Sequence, residues 1–469
     1  MNSGQDYSTD PLASLTPSDT DAGLLRTPVD LRFVPLVHAG RASRLMVYAG
    51  AGISMGAGLP SGAALAAEIH ARLLSLGLDV ASVSQWDLLA VADKAAQEPG
   101  GEEALRTTAL NAFPFTTAPP SSAHRALALL LLEGAIQFLT TNWDTCVERA
   151  ATPERVDAVV TDADRLQIRA ESVLKVHGSA EQPATLLITT ADLASPPIWS
   201  DTAIAAGLST ASVVFLGIGD IAPYVKERLF SIVSRLATNA DVTVATPDIV
   251  SQWEDSGWAK VLPALGENRK WALTAEQFGE RLLIAWMREA LSSMASTVRS
   301  MGMPHLEAAF GELILHLGEH RAERVLRWLR RSHLAVRPGN TVAHDGHTAE
   351  ALIALAALAS GRDVVIGREG PVRVGDDHLE LLIAPSMTTG LTAARESYRR
   401  AEEYRRDGVI GPAVRLKVVC AGHMGALVPQ ASNRLPSNLV DAAEVGDIVS
   451  GGDIQMLAAH EIIERGGAQ

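Results

Sequence analysis

Residues 45–61 read Leu45-Met-Val-Tyr-Ala-Gly-Ala-Gly-Ile-Ser-Met-Gly-Ala-Gly-Leu-Pro-Ser61. The apolar run from Leu45 to Tyr48 leads straight into Gly50 and Gly52. After Pro60, Leu65, Ile69, Leu73 and Leu76 recur at helical spacing. Strand, glycine turn and helix in this order belong to an open α/β sheet that holds a nucleotide. Glycine lets the backbone come close to a ligand, and the N–H groups of such a turn form a cradle for phosphate. The spacing departs from the usual G-x-G-x-x-G fingerprint. Gly50, Ala51, Gly52, Ile53 and Ser54 are the candidate cradle, set against the simpler reading of a plain strand-to-helix turn.

Two later segments have the same logic. Residues 136–148 read Ile136-Gln-Phe-Leu-Thr-Thr-Asn-Trp-Asp-Thr-Cys-Val-Glu148, and residues 174–179 read Leu174-Lys-Val-His-Gly-Ser179. In each, polar residues follow a short apolar run, which in a parallel sheet sets Asn142, Asp144 and His177 at the carboxyl ends of strands, where ligands bind. A further segment, Phe215-Leu-Gly-Ile-Gly-Asp220, has the same form and brings Gly217, Gly219 and Asp220 to a strand end.

Strand and helix signals alternate around these motifs. Strands are expected at 44–49, 136–141, 173–177, 185–189, 212–217 and 242–245, and helices at 61–76, 84–96, 122–133, 223–236 and 275–290. The fold class is therefore α/β, a Rossmann-like, mostly parallel sheet with helices on both faces. Residues 291–304, with Ser, Met and Gly, read as a boundary. Beyond it, helices at 305–317, 319–333 and 347–359 and a strand–helix–strand at 378–384, 388–406 and 413–421 indicate a smaller C-terminal α/β domain. The organisation expected is a disordered tail at 1–33, a ligand-binding catalytic domain at 34–290 and a regulatory or oligomerisation domain at 291–469.

The 469 residues are 47% hydrophobic and 20% charged, an ordinary globular composition with a core built mostly from Ala, Leu and Val, since aromatics are only 4%. A net charge of −14 argues against direct nucleic-acid binding, which needs a basic surface. The two cysteines, Cys146 and Cys420, are too few for a disulfide framework and suit a reducing cytoplasm. Residues 1–21 have neither the basic start nor the apolar core of a signal peptide. Apolar runs such as Ala126 to Leu132 are far short of the ~20 residues that span a bilayer.

A glycine cradle, then Thr140-Thr141-Asn142-Trp143-Asp144, then His177-Gly178, resemble the sirtuin-like family, above all its bacterial NAD-consuming, antiphage-defence branch. The resemblance covers roughly residues 34–290. It implies that NAD is substrate, that Gly217, Gly219 and Asp220 lie near its adenosine half, and that Asn142 and His177 are the catalytic pair. Asn142, with Thr141 beside it, would hold the ribose and orient a water, where a turn-forming Asn is the simpler reading. Asp144 would accept from the nicotinamide amide, or it caps the helix that follows. His177 would act as general base, or it is a structural histidine. Sirtuin deacylases carry a four-cysteine zinc module and an acidic-Phe-Arg run after the cradle. Here there are two cysteines, and Ser61-Gly62-Ala63-Ala64 follows Leu59-Pro60. The resemblance therefore points to a hydrolase that needs no zinc and cleaves NAD to nicotinamide and linear or cyclic ADP-ribose. Partners implied are further copies of the chain or a second defence protein of ATPase, helicase or argonaute type. An NAD or ADP-ribose sensor, and a deacylase or ADP-ribosyltransferase, are the alternatives.

The C-terminal residues offer weaker signals. His344, Asp345 and His347 read as a solvated loop in preference to a metal site. Arg321, Arg324, Arg327 and Arg331 share one helix face, a solvated stripe or a partner surface. Arg415 and Leu416 before Lys417 exclude a nuclease-type acid-x-Lys strand.

Overall fold

The computed structural model describes residues 30–152, 154–167, 169, 171–218, 228–229, 231–232, 234, 248–250, 269–300, 319–331, 364–366, 372–374, 377–384, 399, 403, 406–407, 415–422 and 454–458. Residues Asp30–Leu283 form one compact unit, and the chain from Ile284 onward belongs to a second.

The first unit is built on a seven-stranded sheet: β1 Leu45–Ala49, β2 Gln137–Thr140, β3 Ala158–Val159, β4 Val173–Lys175, β5 Ser212–Leu216, β6 Asp248–Val250 and β7 Lys270–Trp271. Its order is β3-β4-β2-β1-β5-β6-β7, and every pairing is parallel. Central parallel strands are covered on both faces, which is why β1 is apolar and buried throughout. The chain runs from β1 to β2, on to the edge strand β3 and back inward to β4, then returns to lay β5 on the other side of β1. That reversal between β1 and β5 is where open α/β sheets hold ligands. The register matches Ala49 with Thr140 and with Leu216, and Thr140 with Lys175. Gly50, Thr141, Val176 and Gly217 therefore leave the sheet at one level.

Helices follow from local signals. Ser61 caps Gly62–Ser75 by accepting from Ala64 N at 3.2 Å, and Asp87 caps Leu88–Ala96 by accepting from Leu89 and Ala90 N at 3.1 Å. With Gly101–Ala112 they bury Ile69, Leu73, Val91 and Leu105 in a cluster that takes in Phe115, Trp143, Leu186 and Ile188. Elsewhere Met46 and Tyr48 of β1 pack with Trp199, Ile204 and Leu208 of the helix Ile198–Thr210. No helix among the described residues is long and apolar enough to cross a membrane.

Several expectations are corrected. Residues 185–189 form no strand. A 3-10 turn, Pro183–Thr185, takes in the first of them, and Leu186 and Ile188 are buried by the helical layer in place of a strand partner. Helix Ala275–Ser300 runs past its expected end at 290, since neither Gly nor Pro intervenes in 291–300. The unit division falls inside that helix. Residues 30–33 are built into the fold, with Phe33 1% exposed against Trp271 and Phe278. Strand 242–245, helices 305–317 and 347–359, and most of helices 223–236 and 388–406 lie outside the described residues.

The second unit holds a five-stranded sheet of order β12-β11-β10-β9-β8, from β8 Val364–Ile366, β9 Val372–Val374, β10 Asp377–Ala384, β11 Arg415–Gly422 and β12 Ile454–Ala458. Strands β10, β11 and β12 are parallel, and β8 and β9 are antiparallel additions. The helix Glu319–Arg331 buries Ala322, Val325 and Leu326, and Arg327 is spent on an ion pair with Glu323 at 3.1 Å.

The β1 turn meets the end of β5 main chain to main chain. Gly52 N donates to Gly217 O at 2.8 Å, and Gly217 adopts φ 66°. A Cβ at Gly52 would lie 2.6 Å from Gly217 O and 2.7 Å from its Cα, inside contact distance of backbone that cannot rotate away. Gly52→Ala should therefore destabilise the fold by roughly 1–3 kcal/mol. Gly62→Ala, where a Cβ meets nothing within 4 Å, should be neutral or stabilising by up to about 1 kcal/mol. Denaturant titration of both variants checks this, and equal midpoints would contradict it.

Candidate active site

The candidate residues converge on the carboxyl ends of β4, β2, β1 and β5. The register Thr140↔Lys175, carried two residues on, sets Asn142 and His177 at corresponding places past adjacent strands. Thr141 N reaches back to Ala49 O at 3.1 Å, and Gly50 N to Leu216 O at 2.9 Å.

The glycine turn is a pair of 3-10 turns, Ala51–Ile53 and Met55–Ala57, and its amides mostly serve the protein. Gly50 N, Gly52 N, Ile53 N and Ser54 N donate to Leu216 O, Gly217 O, Gly50 O and Ala51 O. In the segment 50–54, Ala51 N–H alone makes no hydrogen bond among the described residues. The phosphate cradle expected from the glycines is therefore narrower than a row of free amides. Gly217 is part of that same packing, while Gly219 and Asp220 lie outside the described residues.

Beneath the turn lies a buried polar chain whose hydrogen-bond directions can be worked out. Ser121 caps the helix Ser122–Leu132, and its backbone N–H donates to His124 Nδ1 at 3.1 Å. Burial lowers the His124 pKa, with Asp144 opposing, so the ring is neutral and carries its proton on Nε2. Nε2 lies 3.2 Å from Ser54 Oγ and donates to it. Asn142 Nδ2 donates to the same oxygen at 3.0 Å and to Gly50 O at 3.0 Å. With two bonds accepted, the Ser54 hydroxyl gives its proton to Asp144 Oδ2 at 2.7 Å. Gly50 O can only accept, so the atom facing it is the amide nitrogen of Asn142, and the amide cannot be flipped. Both Asn142 amide protons are thereby used. Its Oδ1 makes no hydrogen bond among the described residues, and Asn142 is partly exposed where Ser54, His124 and Asp144 are buried.

Asp144 combines two roles. Oδ2 takes the serine, and Oδ1 accepts from Cys146 N at 3.0 Å, capping the helix Cys146–Ala150 from one residue before its N-cap. His124, Asp144 and Cys146 bring donor atoms within 4.8 Å of one another, a metal-like grouping. Their capacity is spent inside the protein: burial, then Asp144, pushes the Cys146 thiol up, and its Sγ leans on Ala118 O at 3.7 Å. His344, Asp345 and His347 lie outside the described residues.

His177 is 5% exposed, and burial, with Arg228 adding to it, lowers its pKa to about 3. Its backbone O accepts from Leu187 N at 3.1 Å. Gly178, at φ 88°, has Thr185 O only 2.2 Å from where a Cβ would sit, so His-Gly is a packing requirement as well as a motif.

Sequence reading missed His124 and Lys175. His124 sits at the third position of its helix, and Ser121-x-x-His124 is a capping-box spacing with His in place of Glu or Gln, a signal of local structure only. Lys175 is fully buried in a strand, where a lysine is not expected.

A profile of the SIR2-like domain family matches residues 137–255. No curated protein matches the chain. Among solved structures, the chain is similar to one titled a crystal structure of a Sir2 homolog–NAD complex, at 15% identity over 55% of this chain and 94% of that one, TM-score 0.32. It is similar to Sir2Tm bound to a propionylated peptide at 16% identity over 54% and 97%, TM-score 0.33. A Sir2–p53 peptide–NAD+ structure gives 17% identity over 55% and 98%, TM-score 0.32. At such TM-scores these likenesses decide nothing about activity. The family match covers residues 137–255, and the strand ends bearing Asn142, Asp144, His177 and Gly217 lie within that stretch.

Proposed function

We propose that the protein hydrolyses NAD to nicotinamide and ADP-ribose, as a regulated antiphage effector that depletes cellular NAD. A SIR2-like domain supports NAD as the ligand. The observation that carries hydrolysis is the polarity of Asn142: its amide protons are held by Gly50 O and Ser54 Oγ, which leaves Oδ1 to accept from a water or a ribose hydroxyl beside His177. Nicotinamide in NAD is already a cationic leaving group, so the C–N bond breaks with its electron pair going to the ring nitrogen. Water adds to the opposite face of the ribose carbon and loses a proton to the neutral His177 imidazole. The protein pins the dinucleotide, orients the water and takes the proton. The C-terminal unit is the place for control, through self-assembly or a second defence protein.

The His177 environment favours a second reading. A base with a pKa of about 3 is weak, whereas a general base works best near the ambient pH. An NAD sensor needs no base. A dinucleotide bound beside the ring brings phosphate charge that draws the pKa upward, and on that ground hydrolysis is the reading adopted.

Three outcomes are expected. His177→Ala should lower NAD turnover by roughly 10²–10⁴-fold with far less effect on NAD binding. Asn142→Asp, unable to donate to Gly50 O, should lose on the order of 10²-fold. Both are measured as NAD loss in cells that carry the genomic neighbours and are challenged with phage. Unchanged NAD in challenged wild-type cells would install the sensor reading, and equal loss in wild type and His177→Ala would remove His177 from the chemistry.

The third outcome concerns acid stability. Below about pH 6.5 the unfolded chain takes up a proton at His177, while the folded protein does so only near pH 3. Stability therefore falls as the pH drops through that window, by about 2 kcal/mol at pH 5 relative to pH 7 for this group. Wild type should lose that much more than His177→Gln between the two pH values in urea titrations. Parallel losses would mean the imidazole is not held neutral.

A further inference from the structure

Lys175 is 0% exposed, at the end of β4 and two residues before His177. Burying an ammonium group is costly unless every proton finds an acceptor. Its Nζ donates to Asp144 O and, at 3.4 Å, to Trp143 O, and it lies 3.5 Å from Ser179 Oγ. Glu148 Oε1 is 2.9 Å away, an ion contact in which neither carboxylate oxygen has a well-directed hydrogen bond. Burial raises the Glu148 pKa, with Lys175 opposing. The two carbonyls are the partners that bear on the site. They belong to the turn that carries Asn142 and Asp144, and without the lysine Asp144 O would lose a donor inside the protein. Ser179, on the far side of His177, closes the same cluster. Trp143 O also accepts from Ala180 N at 2.9 Å, so the two turns touch directly as well.

We propose that Lys175 is a positioning residue: its ammonium group pegs the Asn142–Asp144 turn to the His177–Ser179 turn and so sets the spacing of Asn142 and His177. This rests on the proposed NAD hydrolysis for its catalytic consequence, though not for its structural one. An apolar side chain of similar length would fill the space and leave the turns free to shift. A displacement of about 1 Å between the two groups is worth on the order of 10²-fold in turnover.

The test separates positioning from stability. Lys175→Met strands Glu148 and should lower the melting temperature. Lys175→Met combined with Glu148→Leu removes both buried charges and should recover most of that loss, as buried pairs replaced by apolar ones do. Turnover should remain depressed by roughly 10–10²-fold in both variants, with KM for NAD changing less than about threefold. Glu148→Gln keeps the carbonyl contacts and should lose stability with a much smaller loss of turnover; it serves as the comparison if the double variant does not fold. Turnover that returns with stability in the double variant, or falls as far in Glu148→Gln as in Lys175→Met, overturns the proposal. Hydrogen exchange in full-length protein gives a readout independent of catalysis. Amides of residues 141–146 should exchange at least about tenfold faster in Lys175→Met than in Glu148→Gln, with the rest of the sheet unchanged. Equal protection there overturns the proposal even if no NADase activity is found. Faster exchange together with an inert wild type overturns only the assignment of NAD hydrolysis.

Discussion

The contact on which the site depends is backbone against backbone, Gly52 on Gly217. Where β1 and β5 end side by side, the two turns come so close that neither tolerates a Cβ. The sheet's reversal point therefore closes on main-chain hydrogen bonds, Gly50 N to Leu216 O and Gly52 N to Gly217 O. Those bonds consume most of the amides that a glycine turn would otherwise offer a phosphate. Of the amides in 50–54, Ala51 N–H alone is left without a hydrogen bond among the described residues.

Packing the turn so tightly also fixes what lies under it. Ser54, His124 and Asp144 are buried, and buried polar atoms without partners are expensive. The cost is avoided because each donor meets one acceptor in a single direction, from Ser121 N–H through His124 and Ser54 to Asp144. A network with no slack leaves Asn142 one orientation. Its nitrogen is committed to Gly50 O and Ser54 Oγ, and its oxygen makes no hydrogen bond among the described residues.

The helical layer after the cradle is tied to the same edge. Arg106 donates to Leu186 O at 2.9 Å and to Asp192 at 3.0 Å, and Thr190 N donates to Asp93 Oδ1 at 2.8 Å. Leu187 N in turn holds His177 O at 3.1 Å. The segment following His177 is thus clamped between the histidine and helices Leu88–Ala96 and Gly101–Ala112. Residues 185–189, apolar enough to read as a strand, serve here as the seam between layers.

Much of the frame was legible in the amino-acid order. Period and punctuation placed β1, β2, β4 and β5 to within two residues at either end, because a buried parallel strand is a short apolar run ended by turn chemistry. Asn142, Asp144 and His177 could be set at strand ends for the same reason. The short strands β3 and β7 were not legible, since two residues carry no period, and helix Ala275–Ser300 outran its expected end because serine and methionine do not stop a helix. Nor could His124 or Lys175 be found. Their significance is which distant atoms they touch, Ser54 70 residues from His124 and Asp144 31 residues from Lys175. Local sequence determined where the chain is strand, turn or helix, because those preferences are settled within a few residues. Tertiary structure alone decided that the glycines face each other and that the asparagine turns its nitrogen to Gly50 O and Ser54 Oγ, because close approach and hydrogen-bond direction depend on partners far apart in the chain.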